Sequence, residues 1–186
     1  VTRNGQDWSV SGVAFTVDQD VRVTQVWPVM GPAAMGGTVV SVRGSGFVRT
    51  TDLACRFGQV VVPATYIDHD RLVCASPPSM PGLVSLEVTT NGADFSTGGL
   101  QFLYVPDASV YAVSPTKGPA TGQYPVFVLG SNFVNTTALT CRFDSQAVRA
   151  TFLTPRLVVC LAPQRFAGPS QFAKTVTVEV SNNGLD

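Results

Sequence analysis

Apolar and polar residues alternate along this chain in short runs, and clusters of Gly, Pro, Asn and Asp separate them. Val21 to Val26 alternates until "MGPAAMGG" interrupts it, and Thr38 to Arg43 alternates until "GSGF" does the same. Short strands are expected around Cys55, from Val60 to Ala64 and from Leu72 to Ala75. The run "LVSLEVTT", Leu83 to Thr90, has a period near two, and Leu100 to Val105 closes the set. Helical i, i+3, i+4 spacing is not sustained anywhere. About seven short strands, with turn signals roughly every 8 to 12 residues, predict an all-β, immunoglobulin-like sandwich.

The pattern then repeats. Asn4-Gly5-Gln6-Asp7-Trp8-Ser9 returns 87 positions later as Asn91-Gly92-Ala93-Asp94-Phe95-Ser96. Val26-Trp27-Pro28 returns as Val113-Ser114-Pro115, Gly31-Pro32 as Gly118-Pro119, and Gly44-Ser45-Gly46-Phe47 as Gly130-Ser131-Asn132-Phe133. Cys55-Arg56-Phe57 returns as Cys141-Arg142-Phe143, and Leu72-Val73-Cys74 reads as Leu157-Val158-Cys160 with Val159 as an extra residue. Asn183-Gly184-Leu185-Asp186 is a third copy of the turn, after a longer loop around Arg165 to Phe172. The division expected is 1–19, the final strand of a preceding repeat; 20–106, a first complete domain; and 107–186, a second domain without its final strand. The opening "NGQDWSVSGVAFTV", Asn4 to Val17, matches the turn and last strand of the first complete unit. Either the chain is a window on a longer array, or the opening strand of one copy completes the open domain of the next.

Together, Gly31-Pro32, Gly37, Gly44, Gly46, Phe47, Cys55, Cys74 and Pro77-Pro78 make a pattern that resembles the IPT/TIG domain. This is the immunoglobulin-like module of plexins, the hepatocyte growth factor receptor and fibrocystin. The second unit keeps Gly118-Pro119, Gly122, Gly130, Phe133, Cys141, Cys160 and Pro163, and departs at Asn132, a residue that also tolerates left-handed backbone. The resemblance covers the whole chain and is specific for fold; such modules serve as receptor stalks, adhesion arrays, transcription-factor dimerisation domains and accessory domains of polysaccharide enzymes, of which an extracellular or cell-surface protein is the one expected here. It also implies a disulfide within each domain, Cys55 with Cys74 and Cys141 with Cys160. The equal spacing of 19 positions in the two repeats argues the same way, with buried free thiols as the alternative. No close C-x-x-C pair suggests a metal site.

Composition changes the picture in one respect. Twelve basic and twelve acidic residues cancel, which disfavours nucleic acid as a partner, but the charged fraction is only 13%, against about 25% in a typical domain. With a mean hydropathy of +0.22, such a surface is weakly defended against association. It is either rich in Ser, Thr and Asn or covered by neighbouring domains or chains. His69, in "DHD", has no nucleophile or oriented partner in the sequence and reads as a polar turn. No catalytic, cofactor or metal residue is expected. Asn135-Thr136-Thr137 is an N-glycosylation acceptor on an expected surface loop. Most aromatics fall at repeat positions and are assigned to the core; Tyr66 and Phe166 are assigned to loops. Trp27, where the other repeat has Ser114, is the candidate for a contact between domains.

These features suggest a structural or adhesive segment of a long extracellular repeat protein. It would act as a rigid spacer and packing surface in a stalk, fibre or ciliary or cell-wall appendage. Its partners would be neighbouring repeats, further copies in a filament, other cell-surface or matrix proteins, and glycan at Asn135. The alternative is the ligand-binding ectodomain of a plexin-like or fibrocystin-like receptor.

Overall fold

The computed structural model describes residues 5, 6, 8, 12, 13, 19–119, 121–164 and 175–186. The expected opening strand, apart from Gly5, Gln6, Trp8, Gly12 and Val13, and Phe166 with its loop lie outside the described residues.

The first unit contains β1 (Arg22–Trp27), β2 (Met30–Pro32), β3 (Val39–Ser45), β4 (Ala54–Phe57), β5 (Val60–Asp68), β6 (Arg71–Ala75), β7 (Gly82–Thr89) and β8 (Gln101–Val105). The second contains β9 (Ser109–Ser114), β10 (Pro125–Ser131), β11 (Thr140–Phe143), β12 (Gln146–Thr154), β13 (Leu157–Leu161) and β14 (Val178–Ser181). There is no helix among the described residues. In the first unit the strands run β1-β3-β6-β5-β4-β7-β8-β2, and in the second β14-β11-β12-β13-β10-β9.

β5 is the hinge of this arrangement. Val60 to Pro63 pairs with β4, and Ala64 to Asp68 pairs with β6. One strand therefore belongs to both sheets, and the turn from one to the other folds the ladder into a sandwich. It is longer than its apolar run suggested because its second half follows β6. Tyr66, assigned to a loop from the sequence, sits on that second half opposite Leu72 and packs on the core. The stretch "MGP", expected as a break, is a short strand pairing in parallel with β8. Edge pairing of this kind needs a partner strand, which local pattern does not reveal.

The register also corrects the repeat alignment. Val40 faces Cys74 and Arg43 faces Arg71 in the first unit; Val126 faces Cys160 and Leu129 faces Leu157 in the second. Val159 is therefore not an insertion. Leu72 corresponds to Val158, both fully buried, while Leu157 takes the place of Arg71. Strand side chains alternate between faces, so a slip of one residue moves a side chain from core to surface. Gly46 (φ 78°) and Asn132 (φ 61°) share the left-handed conformation, which asparagine can adopt through local hydrogen bonding.

Cys55 on β4 is bonded to Cys74 on β6, and Cys141 on β11 to Cys160 on β13, with Cα atoms 6.4 and 6.3 Å apart. Each bond joins the two sheets of its unit. Closing a loop of this length stabilises the fold by about 3 kcal/mol through the unfolded chain. Around the first pair lie Val40, Val42, Phe47, Leu53, Phe57, Leu72, Leu86 and Val88. β8 adds Phe102 and Tyr104, both buried. The Phe102 ring meets Phe57 edge-on at 5.4 Å and Tyr104 at 5.0 Å, geometry that matches aromatic quadrupoles. In the second unit Val178 and Val180 on β14 are only partly buried. β14 pairs with β11 on one side, and no described strand flanks its other side.

Burial, with no hydrogen-bond partner for its hydroxyl among the described residues, pushes the Tyr104 phenol up to about 12. Its ionisation is thus harder in the folded than in the unfolded chain, where the ordinary value is near 10. Stability from the neutral phenol is complete below that ordinary value and is lost as pH rises through the folded one. Urea unfolding of wild type and Tyr104→Phe, compared from pH 9 to 12, should show wild type losing stability relative to the variant above pH 10. Parallel curves across that range would contradict this account.

Candidate interaction site at the domain junction

Only Pro106, Asp107 and Ala108 separate β8 from β9. A connection this short, with φ fixed at the proline, allows few relative orientations. Asp107 is held from both sides. Its Oδ1 accepts a hydrogen bond from the Ala34 amide of the first unit at 3.0 Å, and its carbonyl accepts one from Asn132 Nδ2 of the second at 2.9 Å.

The repeated Asn-Gly-x-Asp sequence makes a closed turn in each unit. Asn91 Oδ1 accepts from the amides of Ala93 and Asp94 at 3.0 and 2.9 Å, and its Nδ2 donates to Asp94 at 2.9 Å. Asn183 does the same with Leu185 and Asp186 at 3.0 and 3.1 Å, and with the Asp186 carboxylate at 2.5 Å. This is the local hydrogen bonding that favours asparagine in turns. The second turn also reaches the first unit. Thr38 Oγ1 donates to Asp186 Oδ2 at 2.6 Å, and Asn183 Nδ2 donates to the Met30 carbonyl at 3.0 Å. The junction is thus fastened at two places, the linker and this turn.

Gly31 makes room for the clasp: a Cβ there would lie 2.1 Å from Thr38 Oγ1. In the second unit the equivalent of Thr38 is Tyr124, as matching hydrogen bonds show. Ser76 N donates to Thr38 O at 2.9 Å, and Ala162 N to Tyr124 O at 2.9 Å. A Cβ on Gly118 would fall 2.1 Å from the Tyr124 ring. The glycine is kept in both repeats, but a phenol ring lies beside it in the second where a threonine hydroxyl lies in the first. The second unit thus presents a phenol hydroxyl, 2.2 Å from where a Cβ on Gly118 would lie, in place of the threonine hydroxyl.

Between the units lies a cleft of about 490 Å³, lined by Met30, Met35, Val105, Val178 and Val180 with Arg142, Glu179 and Asp186 at its polar side. Arg142 Nε is 2.7 Å from Glu179 Oε2 across β11 and β14. The first unit has the same pair, Arg56 with Glu87 at 2.7 Å, and there the Phe95 ring lies 3.9 Å over the guanidinium. Among the described residues no group of His, Cys, Asp or Glu is arranged to hold a metal ion.

The sequence-derived candidates are scattered rather than convergent. The four cysteines are in the cores. Asn135 is exposed in the loop after β10, and Thr136 beside it donates to the Asn182 carbonyl at 2.6 Å. His69 and Asp70 form the β5–β6 turn, where the Asp70 amide donates to Asp68 Oδ1 at 3.1 Å. Bonding from Asp70, chiefly, holds the Asp68 carboxyl below its usual range. Trp27 ends β1 opposite Ser41 with 57% of its surface exposed. The residues that bind across the junction are Ala34, Thr38, Met30, Asp107, Asn132, Asn183 and Asp186. Of these, the recurrent Asn-Gly-x-Asp turn and the departure at Asn132 left a trace in the sequence, and neither revealed its target.

Comparison with known proteins places this geometry in a lineage. The model of the IPT/TIG domain matches residues 21–104 and again 108–186. Human Plexin-A3 is 30% identical over 172 residues, 87% of this chain and 9% of the relative; mouse Plexin-A3 is 29% identical over 88% of the chain and likewise 9% of the relative. The chain thus spans under a tenth of the length of the curated relatives it matches. Among solved structures, the Plexin A4 full extracellular region superposes with a TM-score of 0.56 at 19% identity, covering 82% of this chain and 13% of that one. Two disulfide-closed sandwiches in tandem, each matched by the same family model, make this chain a member of the IPT/TIG domain family.

Proposed function

We propose that the chain is a non-catalytic, extracellular segment of a plexin-like receptor, in which two IPT/TIG repeats hold the domains on either side at a set angle. The likeness to Plexin-A3 favours the receptor over the fibre that the repeats and the low charge suggested. Two disulfides accord with an oxidising, extracellular or cell-surface location. Neighbouring repeats of the same protein and other cell-surface proteins are its partners in this reading.

The observation that carries the spacer role is the double fastening of the junction: a three-residue linker held through Asp107, and the turn of Asn183 to Asp186 seated on Thr38 and Met30. A hydrogen bond to a carboxylate contributes on the order of 1–2 kcal/mol where water competes for it, enough to favour one angle over a continuum of others. Spin labels placed on exposed positions of the two units should report a narrow distance distribution. Thr38→Val combined with Asp186→Asn should broaden it while leaving both disulfides intact. An unchanged distribution would remove the clasp from the account.

The exposed loop at Asn135 supports the further proposal that a glycan is attached there. Protein secreted from a eukaryotic host should lose mass on treatment with peptide N-glycosidase F, and Asn135→Gln should abolish the loss. No mass change in the wild type would end this proposal.

A further inference from the structure

The second repeat is fastened to the first through Asp107 in the linker and through the turn of Asn183 to Asp186. The first repeat carries both groups again. Arg22 faces Ser45 at the start of β1 as Ser109 faces Ser131 at the start of β9, so Asp20 stands where Asp107 does, two residues ahead of its strand. Thr89 faces Ala54 at the end of β7 as Ser181 faces Thr140 at the end of β14, so Asn91 and Asp94 stand where Asn183 and Asp186 do. The two turns agree in their internal hydrogen bonds. Thr89 Oγ1 accepts from the Gly92 amide at 2.9 Å, and Ser181 Oγ from the Gly184 amide at 2.8 Å. Each hydroxyl also donates to the Oδ1 of its asparagine, at 3.1 and 2.9 Å. What differs is cover. Asn183, against the Met30 carbonyl of the first unit, is 4% exposed, whereas Asp20, Asn91 and Asp94 all face solvent.

We propose that the end of the first repeat bearing Asp20, Asn91 and Asp94 is a docking face for a preceding repeat of the same fold, fastened as the second repeat is fastened to the first. The proposal deepens the spacer reading and rests on it. The observed junction defines the chemistry of the occupant. It offers a free loop amide to the Asp20 carboxylate, as Ala34 does to Asp107. It offers a serine or threonine hydroxyl to Asp94, as Thr38 does to Asp186, and a backbone carbonyl to Asn91 Nδ2, as Met30 does to Asn183. The hydroxyl stands beside a glycine, because a Cβ at the position of Gly31 would lie 2.1 Å from Thr38 Oγ1. A second copy of this chain is not the occupant, since its own turn of Asn183 to Asp186 already fills its Thr38 and Met30.

Two further features support the match. Arg142 and Glu179, on the polar side of the cleft between the units, have Arg56 and Glu87 as their counterparts, and Phe95 adds an aromatic ring 3.9 Å over the Arg56 guanidinium. The Asn91 turn is closed by its own hydrogen bonds before any partner arrives, so docking costs little ordering. Asp20 lies on the backbone that enters β1, so a covalently joined repeat meets this face at high effective concentration, and a few polar contacts suffice to select one angle.

The test supplies such a partner from the chain itself. A second copy of residues 20–106 is placed directly ahead of Asp20, so that Pro106 runs into Asp20 as it otherwise runs into Asp107. The added unit has β1 to β8 and its own disulfide, and its Thr38, Gly31 and Met30 are free to receive the repeat that follows. Spin labels at Gln59 of both copies report the new junction, and labels at Gln59 and Ser145, both exposed, report the original one in the same protein. The expected result is a narrow distance distribution at the new junction, as narrow as at the original. Asp20→Asn with Asp94→Asn in the middle unit should broaden the new distribution and leave the original unchanged. Thr38→Val in the leading copy should do the same from the other side. Intact disulfides and unaltered thermal unfolding confirm that each variant is folded; if one is not, the other carries the test. A broad distribution at the new junction beside a narrow one at the original overturns this inference alone. A broad distribution at both removes the spacer reading and the inference with it. A narrow distribution that neither folded variant alters also overturns the inference, because the angle is then set without these residues.

Discussion

The bond between β4 and β6, copied between β11 and β13, joins the two sheets of each sandwich at its centre and sets the frame for every other contact. Its position ties the register of β3, β4, β5 and β6 together, because Cys74 pairs with both Val40 and Ala64, and Cys55 with both Val62 and Val88. Once that register is set, the period of two decides which side chains enter the core and which face outward. The doubling back of β5 between the sheets follows from the same constraint, since one half must serve each cysteine-bearing partner.

From this frame the two repeats diverge at their surfaces. The first closes its core with the aromatic pair on β8 and uses Thr38, freed by Gly31, to receive the turn of the second. The second places the larger Tyr124 phenol beside Gly118 at the equivalent position. A repeated fold therefore does not imply a repeated junction. Each angle along such an array is set by a few polar contacts chosen locally, while the disulfide-bearing core stays constant.

The outward sheet faces diverge in the same manner. The first repeat pairs Arg43 with Arg71 where the second pairs Leu129 with Leu157, at the same place in the register.

Sequence by itself determined the all-β class, the tandem repeat and the family resemblance, and that resemblance implied the pairing of each cysteine with its partner. These rest on short-range alternation and on residues that recur, and both are visible without coordinates. Tyr66, the strand at Met30 and the place of Leu157 were not visible, because each depends on which strand lies alongside. Leu157 is the instructive case: matched to Leu72 by identity, it sits instead where Arg71 does, and only the paired register could say so. The clasp between Thr38 and Asp186 joins residues far apart in the chain through side chains that no local pattern marks. Local chemistry sets the strand and the turn; the meeting of distant edges is decided by how whole sheets fold over one another.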